Sequence, residues 1–194
     1  MYPGKRIFDI LFSAFLLVIL LPLFILIAII IKIDNMGRGP VFYKAKRIGL
    51  CGKEFEMLKF RSMIEGADLD GPTITISGDT RITKIGSFLR KSKLDELPSF
   101  INVLKGDMSV VGPRPECPAW VAKYSDEERK ILFIKPGITG PAQIEYKNEE
   151  KLLSGKNWQS QYLHIMRDKL SIDLQYYTSN SLLQDLTIIL RTIS

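Results

Sequence analysis

The N-terminal stretch of the chain is patterned differently from everything after it. Residues 10–31 carry no charged side chain, and only Ser13 and Pro22 interrupt a run of aliphatic and aromatic residues. At about 1.5 Å of rise per residue, a helix of that length reaches across a hydrocarbon core of roughly 30 Å. Basic residues flank the run on both sides: Lys5 and Arg6 before it, and Lys32, Arg38, Lys44, Lys46 and Arg47 after it. Lys and Arg favour the cytoplasmic side of a membrane, so a straight span satisfies only one flank. Pro22, near the middle, removes a backbone donor and invites a kink. A helix that enters, bends at Leu21-Pro22 and returns to the same face satisfies both flanks. A spanning helix that tolerates its proline stays open on these residues alone. A cleaved signal peptide is disfavoured, because the run is long and no small-residue cleavage pattern follows it.

Beyond this run the periods shorten. Gly37-Arg38-Gly39-Pro40 marks the exit from the apolar element. Residues 41–48 and 55–63 predict two strands joined around Leu50-Cys51-Gly52-Lys53 as a hairpin, and 66–78 predict a loop. Ile82, Ile85 and Leu89 follow helical spacing, as do Leu97, Phe100, Ile101 and Leu104. Between these stripes, Ser92 followed by Asp95 has the look of a variant capping box, with Pro98 acceptable in a first helical turn. That reading puts Asp95 and Glu96 at a helix N-terminus. Residues 110–118 hold three prolines, which exclude a regular helix or a central strand, and 135–143 form a second Pro/Gly segment. Residues 162–177 and 182–193 predict helices. In the last one Leu182, Leu183, Leu186, Ile189, Leu190 and Ile193 share an apolar face, which is expected to pack on the core rather than on a membrane surface. The class is α+β.

Charge narrows the partners. A net charge of +6 and a pI near 9.3 favour anionic ones: nucleic acid, anionic lipid or phosphorylated substrates. The apolar run turns that choice toward lipid and away from nucleic acid. His164 is the lone histidine, which leaves no zinc site and no His-based triad. Cys51 and Cys117 have no CxxC spacing and read as free thiols in a reducing compartment, with a disulfide as the alternative.

Three groups of residues could carry chemistry. Asp95 and Glu96 could simply complement a helix dipole; alternatively the partial positive charge there keeps Asp95 ionised as a carboxylate nucleophile or metal ligand. In Gly112-Pro113-Arg114-Pro115-Glu116 the prolines hold Arg114 extended, which suits a planar fork that grips phosphate oxygens, and equally suits a solvated turn. Lys59, Arg61, Arg81, Arg90 and Lys91 could line a phosphate cleft or merely face solvent. Neither a GxxxxGK[ST] loop nor a GxGxxG fingerprint is present.

Taken in order, the motifs resemble those of the monotopic phosphoglycosyl transferases of the bacterial sugar transferase family, over nearly the whole chain. The likeness runs through Lys5-Arg6-x-x-Asp9, Pro40-Val41-Phe42-Tyr43, Lys59-Phe60-Arg61-Ser62-Met63 and Leu89-Arg90-Lys91-x-x-Leu94-Asp95-Glu96-Leu97-Pro98. It continues through Asn102-Val103-Leu104-Lys105-Gly106-Asp107-Met108-Ser109, Val111-Gly112-Pro113-Arg114-Pro115-Glu116 and Lys135-Pro136-Gly137-Ile138-Thr139-Gly140. The resemblance implies a re-entrant membrane helix over 1–36, broken at Leu21-Pro22 and anchored at the interface by Lys5, Arg6 and Asp9. A small hairpin and a set of helices then form one catalytic domain over 37–194, on the cytoplasmic face of the inner membrane. It implies that Asp95 attacks the β-phosphate of a UDP-sugar, releases UMP and carries a phosphosugar to undecaprenyl phosphate, the first membrane step of a glycan or glycoconjugate pathway. Asp95 and Glu96 would hold Mg²⁺, while Lys59, Arg61, Arg90 and Arg114 would bind substrate phosphate. The sugar is expected to be N-acetylated, as in other minimal members, which this chain resembles. Many members carry Ser before the broken proline; here it is Leu21, which cannot satisfy the freed carbonyl. A membrane-tethered binding module and a scaffold for glycan assembly are the rival classes, and both tolerate loss of Asp95.

Overall fold

Pro22 ends one helix and begins another. In the computed structural model, which describes residues 2–34, 39–67, 74–75, 78–153 and 157–193, α1 (Lys5–Ile19) and α2 (Leu21–Asp34) meet at Leu20 with a bend of 61°. Pro22 cannot donate to the Val18 carbonyl, and a backbone N–H at the cap takes that acceptor instead. No serine is needed to satisfy it. No single described helix is long and apolar enough to cross a membrane.

α1 is amphipathic in the reverse sense. Lys5, Asp9 and Ser13, one helical turn apart, are buried, with Phe8, Phe12 and Leu16 packed beside them. Ile7, Leu11, Phe15 and Val18 are each more than half exposed. α2 buries Ile27 and Ile31 against Phe60 and Leu89, and leaves Leu21, Ile25, Leu26, Ile29 and Ile33 outside. Gly37, Arg38, the expected boundary at 36 and most of the 66–78 loop lie outside the described residues.

The hairpin forms as its alternation predicts. β1 (Phe42–Ile48) pairs antiparallel with β2 (Glu54–Phe60), Phe42 opposite Phe60 and Ile48 opposite Glu54, around a 3-10 turn at Leu50–Gly52. α3 (Lys84–Lys91) starts at Thr83, whose Oγ1 accepts from the Gly86 N–H at 2.9 Å. A 3-10 turn, Leu94–Glu96, runs into α4 (Ser99–Lys105). β3 (Ser109–Val111) follows, then α5 (Pro118–Val121), a 3-10 stretch Glu128–Phe133, β4 (Gly137–Thr139), α6 (Pro141–Glu145), α7 (Glu149–Leu152), α8 (Trp158–Ser179) and α9 (Leu182–Ile193).

Val110 and Val111 form strand, though not a central one: the two Pro/Gly segments pair with each other, and β3 and β4 make a short two-stranded parallel ladder, Ser109 opposite Gly137. One expectation needs correction. The apolar face read on α9 meets the core through Ile189, but Leu182, Leu183, Leu186 and Leu190 stay exposed. Leu183 is 76% and Leu190 69% exposed, while Asp185 and Ile188 point inward. Asp185 decides this orientation, since its carboxylate accepts from the Tyr2 and Tyr176 hydroxyls and pairs with Lys5. Cys51 is exposed and Cys117 buried, and both are free thiols.

Packing sets one test against helix propensity. Within α3, Gly86→Ala gains about 1 kcal/mol of intrinsic helix stability. However, its Cβ would lie 1.8 Å from the backbone oxygen of Ser62, which cannot swing away. Overpacking of this kind costs typically 1–3 kcal/mol, so Gly86→Ala is expected to lower the thermal unfolding midpoint in detergent by several degrees. An unchanged or higher midpoint contradicts the packing of α3 on the Ser62 strand end.

Candidate active site

The two adjacent acids owe their placement to a reversal of the backbone. Ser92 closes α3 instead of capping the next helix: its Oγ donates to the Phe88 and Leu89 carbonyls at 2.8 and 3.2 Å. Lys93 is left-handed, φ 58°, a conformation unusual for a residue with a side chain. That turn throws Leu94–Glu96 inward as a 3-10 turn, so the expected capping box and helix-dipole support for Asp95 are absent. Asp95 and Glu96 are only 5% and 8% exposed.

Glu96 is the hub. Its Oε1 accepts from Lys59 Nζ at 2.8 Å and from Arg114 Nη2 at 2.7 Å, and its Oε2 accepts from Arg114 Nη1 at 3.2 Å. Burial opposes ionisation of Glu96, but Arg114 and Lys59 outweigh it and hold the carboxyl well below its usual range. Lys59 is lowered by the same burial, with Glu96 pulling against that.

Each partner of Glu96 is fixed by residues that pattern alone did not single out. Lys59 lies on β2, whose neighbour Leu58 donates its N–H to Asn102 Oδ1 at 2.9 Å and accepts from Ser99 Oγ at 2.8 Å. Asn102 Nδ2 reaches the Glu56 carbonyl at 2.7 Å, so α4 closes the open edge of the hairpin. Arg114 sits between its two prolines on a loop held by Ile48 N–H to Glu116 O (2.9 Å), Gly137 N–H to Pro113 O (2.8 Å) and Tyr162 Oη to Glu116 Oε1 (2.5 Å). Gln143 Oε1 lies 3.5 Å from Arg114 Nη1.

Asp95 stands apart. None of the hydrogen bonds among the described residues ends on it. Burial raises its pKa above the ordinary aspartate value; Lys59, Arg90 and Lys93 pull it back, while Glu96 adds to the rise. Arg90 donates to Thr75 Oγ1 at 2.5 Å and contributes to Asp95 through its charge. Arg61 is buried with its guanidinium packed under Gly39. The three expected interface anchors all hold protein: Lys5 and Asp9 are buried, and Arg6 donates to the Val103 and Leu104 carbonyls at 2.5 and 2.9 Å, at the end of α4.

Among the described residues no three or more His, Cys, Asp or Glu side chains converge on a metal position. The donor set still suits a Mg²⁺ shared with a phosphorylated substrate, since that ion is commonly held through one or two carboxylates plus substrate phosphates. Asp95 offers such a carboxylate. Glu96 keeps one acceptor position on Oε2 beside its bond to Arg114 Nη1.

Cations gathered around adjacent carboxylates suit phosphate chemistry, and the sequence as a whole has known relatives. The chain belongs to the bacterial sugar transferase family, whose profile matches residues 2–194, and it is a transferase. It is 37% identical over 194 residues to a UDP-glucose:undecaprenyl-phosphate glucose-1-phosphate transferase of Caulobacter vibrioides, with 97% of this chain and 68% of that protein covered. Similarity to the exopolysaccharide production protein ExoY of Rhizobium meliloti is 35% identity over 205 residues, covering 98% of this chain and 84% of that one. A UDP-N-acetylgalactosamine-undecaprenyl-phosphate N-acetylgalactosaminephosphotransferase of Aeromonas hydrophila is 34% identical over 192 residues, covering 97% of this chain but 42% of that protein.

The two acids are expected to respond oppositely to neutralisation. An aspartate whose folded pKa is raised weakens the fold at pH values above its unfolded pKa, so Asp95→Asn should leave the unfolding midpoint at pH 7.5 unchanged or higher. Glu96→Gln strands Lys59 and Arg114 beside a neutral amide, and loss of one partner from a buried ion cluster costs about 3–5 kcal/mol. Its midpoint should fall by many degrees. Equal destabilisation by both variants contradicts this arrangement.

Proposed function

We propose that the protein transfers a sugar-1-phosphate from a UDP-sugar to undecaprenyl phosphate at the cytoplasmic face of the inner membrane, through a phosphosugar bound covalently to Asp95. The observation that carries this reading is the contrast at the site. Glu96 is held by two cations, whereas Asp95 is buried, without a hydrogen-bond partner among the described residues, and destabilised as an anion. Such a carboxylate is primed to attack an electrophile rather than to hold structure.

In the first step one Asp95 oxygen bonds to the β-phosphorus while the bond from that phosphorus to the bridging oxygen breaks. UMP leaves with the electron pair. In the second, an oxygen of the lipid phosphate attacks the same phosphorus and the Asp95–phosphorus bond breaks. This gives the diphosphate-linked lipid and the free carboxylate. Arg114 and Lys59 steady the phosphate charge, and Arg90 adds to the field at Asp95. Asp95, with Glu96 beside it, would hold a Mg²⁺, which would supply further neutralisation of phosphate charge.

The reversed amphipathicity of α1, the apolar outer side of α2 and the exposed leucines of α9 support a bilayer as the surrounding medium. A polar side turned toward protein and an apolar side turned outward is how helices sit in lipid. The 61° bend fits re-entry and a broken span alike, and the basic residues on both flanks favour re-entry. The relatives' names include both glucose and N-acetylgalactosamine donors, so the N-acetylated sugar expected from resemblance and glucose are both carried into the test.

With sugar-labelled UDP-sugars and no lipid, the purified protein should release about one UMP per active site and keep the label. Undecaprenyl phosphate should then discharge it. Asp95→Asn should lose turnover by several orders of magnitude while staying folded. Turnover near wild type in Asp95→Asn, or UMP release with no protein-bound label, contradicts the covalent route. Excess chelator should stop UMP release and Mg²⁺ restore it; activity indifferent to chelation removes the metal from the scheme. For topology, cysteines placed before Lys5 and after Asp34 in a Cys51→Ser background should be labelled from the same side of sealed inverted vesicles. Labelling from opposite sides rules out re-entry.

A further inference from the structure

Asp9 belongs to α1, yet its carboxylate serves another part of the chain. It accepts from Ser109 Oγ at 2.9 Å and 3.1 Å, on its two oxygens, and from the Val110 N–H at 3.1 Å. Lys5 Nζ lies 3.5 Å away, between Asp9 and Asp185. Asp9 is 2% exposed and Ser109 fully buried, so these bonds form away from water, where an unpaired partner costs most.

Both of the donors on Asp9 lie on β3. One edge of that strand is spent on the β4 segment: the Ser109 N–H reaches Pro136 O at 2.8 Å and the Gly112 N–H reaches Thr139 O at 2.9 Å. Successive N–H groups of a strand point to opposite sides, so Val110 presents its donor to the other edge, where no strand pairs with it. Asp9 takes that place.

From Val110 the chain reaches Arg114 through a segment that has little room to yield. A Cβ on Gly112 would lie 2.5 Å from Lys135 O, and one on Gly137 would lie 2.1 Å from Gly112 N, so the two backbones are already in closest approach. The Gly137 N–H holds Pro113 O at 2.8 Å, and prolines restrict the backbone on both sides of Arg114. Strand and loop therefore move as one piece.

We propose that Asp9 is a positioning residue for the phosphate-binding arginine: from within the apolar helix it sets the height of β3, and through β3 the distance of the Arg114 fork from Glu96. The apolar helix pair and the phosphate clamp are then one mechanical unit, and displacement of α1 relaxes the clamp. The proposal rests on the transferase reading of the site. An anchor that serves only the interface would face headgroups or water; Asp9 faces neither.

The test is a double-mutant cycle read as UMP release, joined to hydrogen exchange on the same purified proteins. Asp9→Asn removes the charge that faces Lys5 and puts an amide donor where an oxygen takes the shorter Ser109 bond, while Ser109 Oγ keeps the Val111 carbonyl at 3.0 Å, so the tie from α1 to β3 is weakened. Asp9→Asn is expected to lower UMP release about tenfold or more in the wild-type background, but only about twofold in an Arg114→Lys background where the fork is already lost. Amide exchange across residues 109–114 should quicken in Asp9→Asn while that of residues 42–60 stays unchanged. Ser109→Ala, a milder change, should show the same non-additivity and decides the cycle if Asp9→Asn does not fold. Equal fold-losses in both backgrounds, or unchanged exchange over 109–114, overturn the proposal. A wild-type protein that releases no UMP overturns the transferase reading instead, and exchange alone then decides whether Asp9 holds the loop.

Discussion

The site is organised by one shared carboxylate. Glu96 receives Lys59 from the hairpin and Arg114 from the proline loop, so three distant stretches of sequence converge on two oxygen atoms. Bringing three charges out of water is costly, and the arrangement is stable only because each is paired with good geometry. What surrounds the cluster serves that end. Asn102 and Ser99 hold the lysine's strand, Tyr162 and the β4 backbone hold the arginine's loop, and the left-handed turn at Lys93 presents the glutamate from the third side.

The same cluster explains how two neighbouring acids come to differ. Glu96 absorbs the cations at close range, which leaves Asp95 with their field but not their hydrogen bonds. A carboxylate in that state is costly to the fold and available to chemistry. Division of labour between adjacent residues thus follows from which of them the fork can reach, without any difference in side-chain type beyond one methylene.

Much of this could be read from residue order, and the rest could not for identifiable reasons. The hairpin and the long helices follow periods that local sequence sets, and residues 42–48, 54–60, 162–177 and 182–193 form as such patterns dictate. The adjacent acids and the proline-flanked arginine stand out as residue types. That the arginine grips the glutamate is a tertiary fact with no local trace. The three-residue strands β3 and β4 are too short to show alternation, and their glycines and prolines speak against strand until the two segments meet. Helix α9 shows an apolar stripe, but its facing is fixed by Asp185 meeting Lys5, Tyr2 and Tyr176, partners that no helical period can reveal.

That meeting also bears on the order in which the molecule can be built. Lys5 and Asp185 are separated by 180 positions, and a ribosome adds residues one at a time from the amino end. The apolar helix is therefore complete long before the carboxylate that neutralises its buried lysine exists. Until Ser109 and Val110 are made, Lys5 and Asp9 have only each other, and the outward aliphatic side of α1 has only the surroundings. The polar inner side of the first helix is therefore closed in two stages, Asp9 by β3 and Lys5 only when α9 arrives.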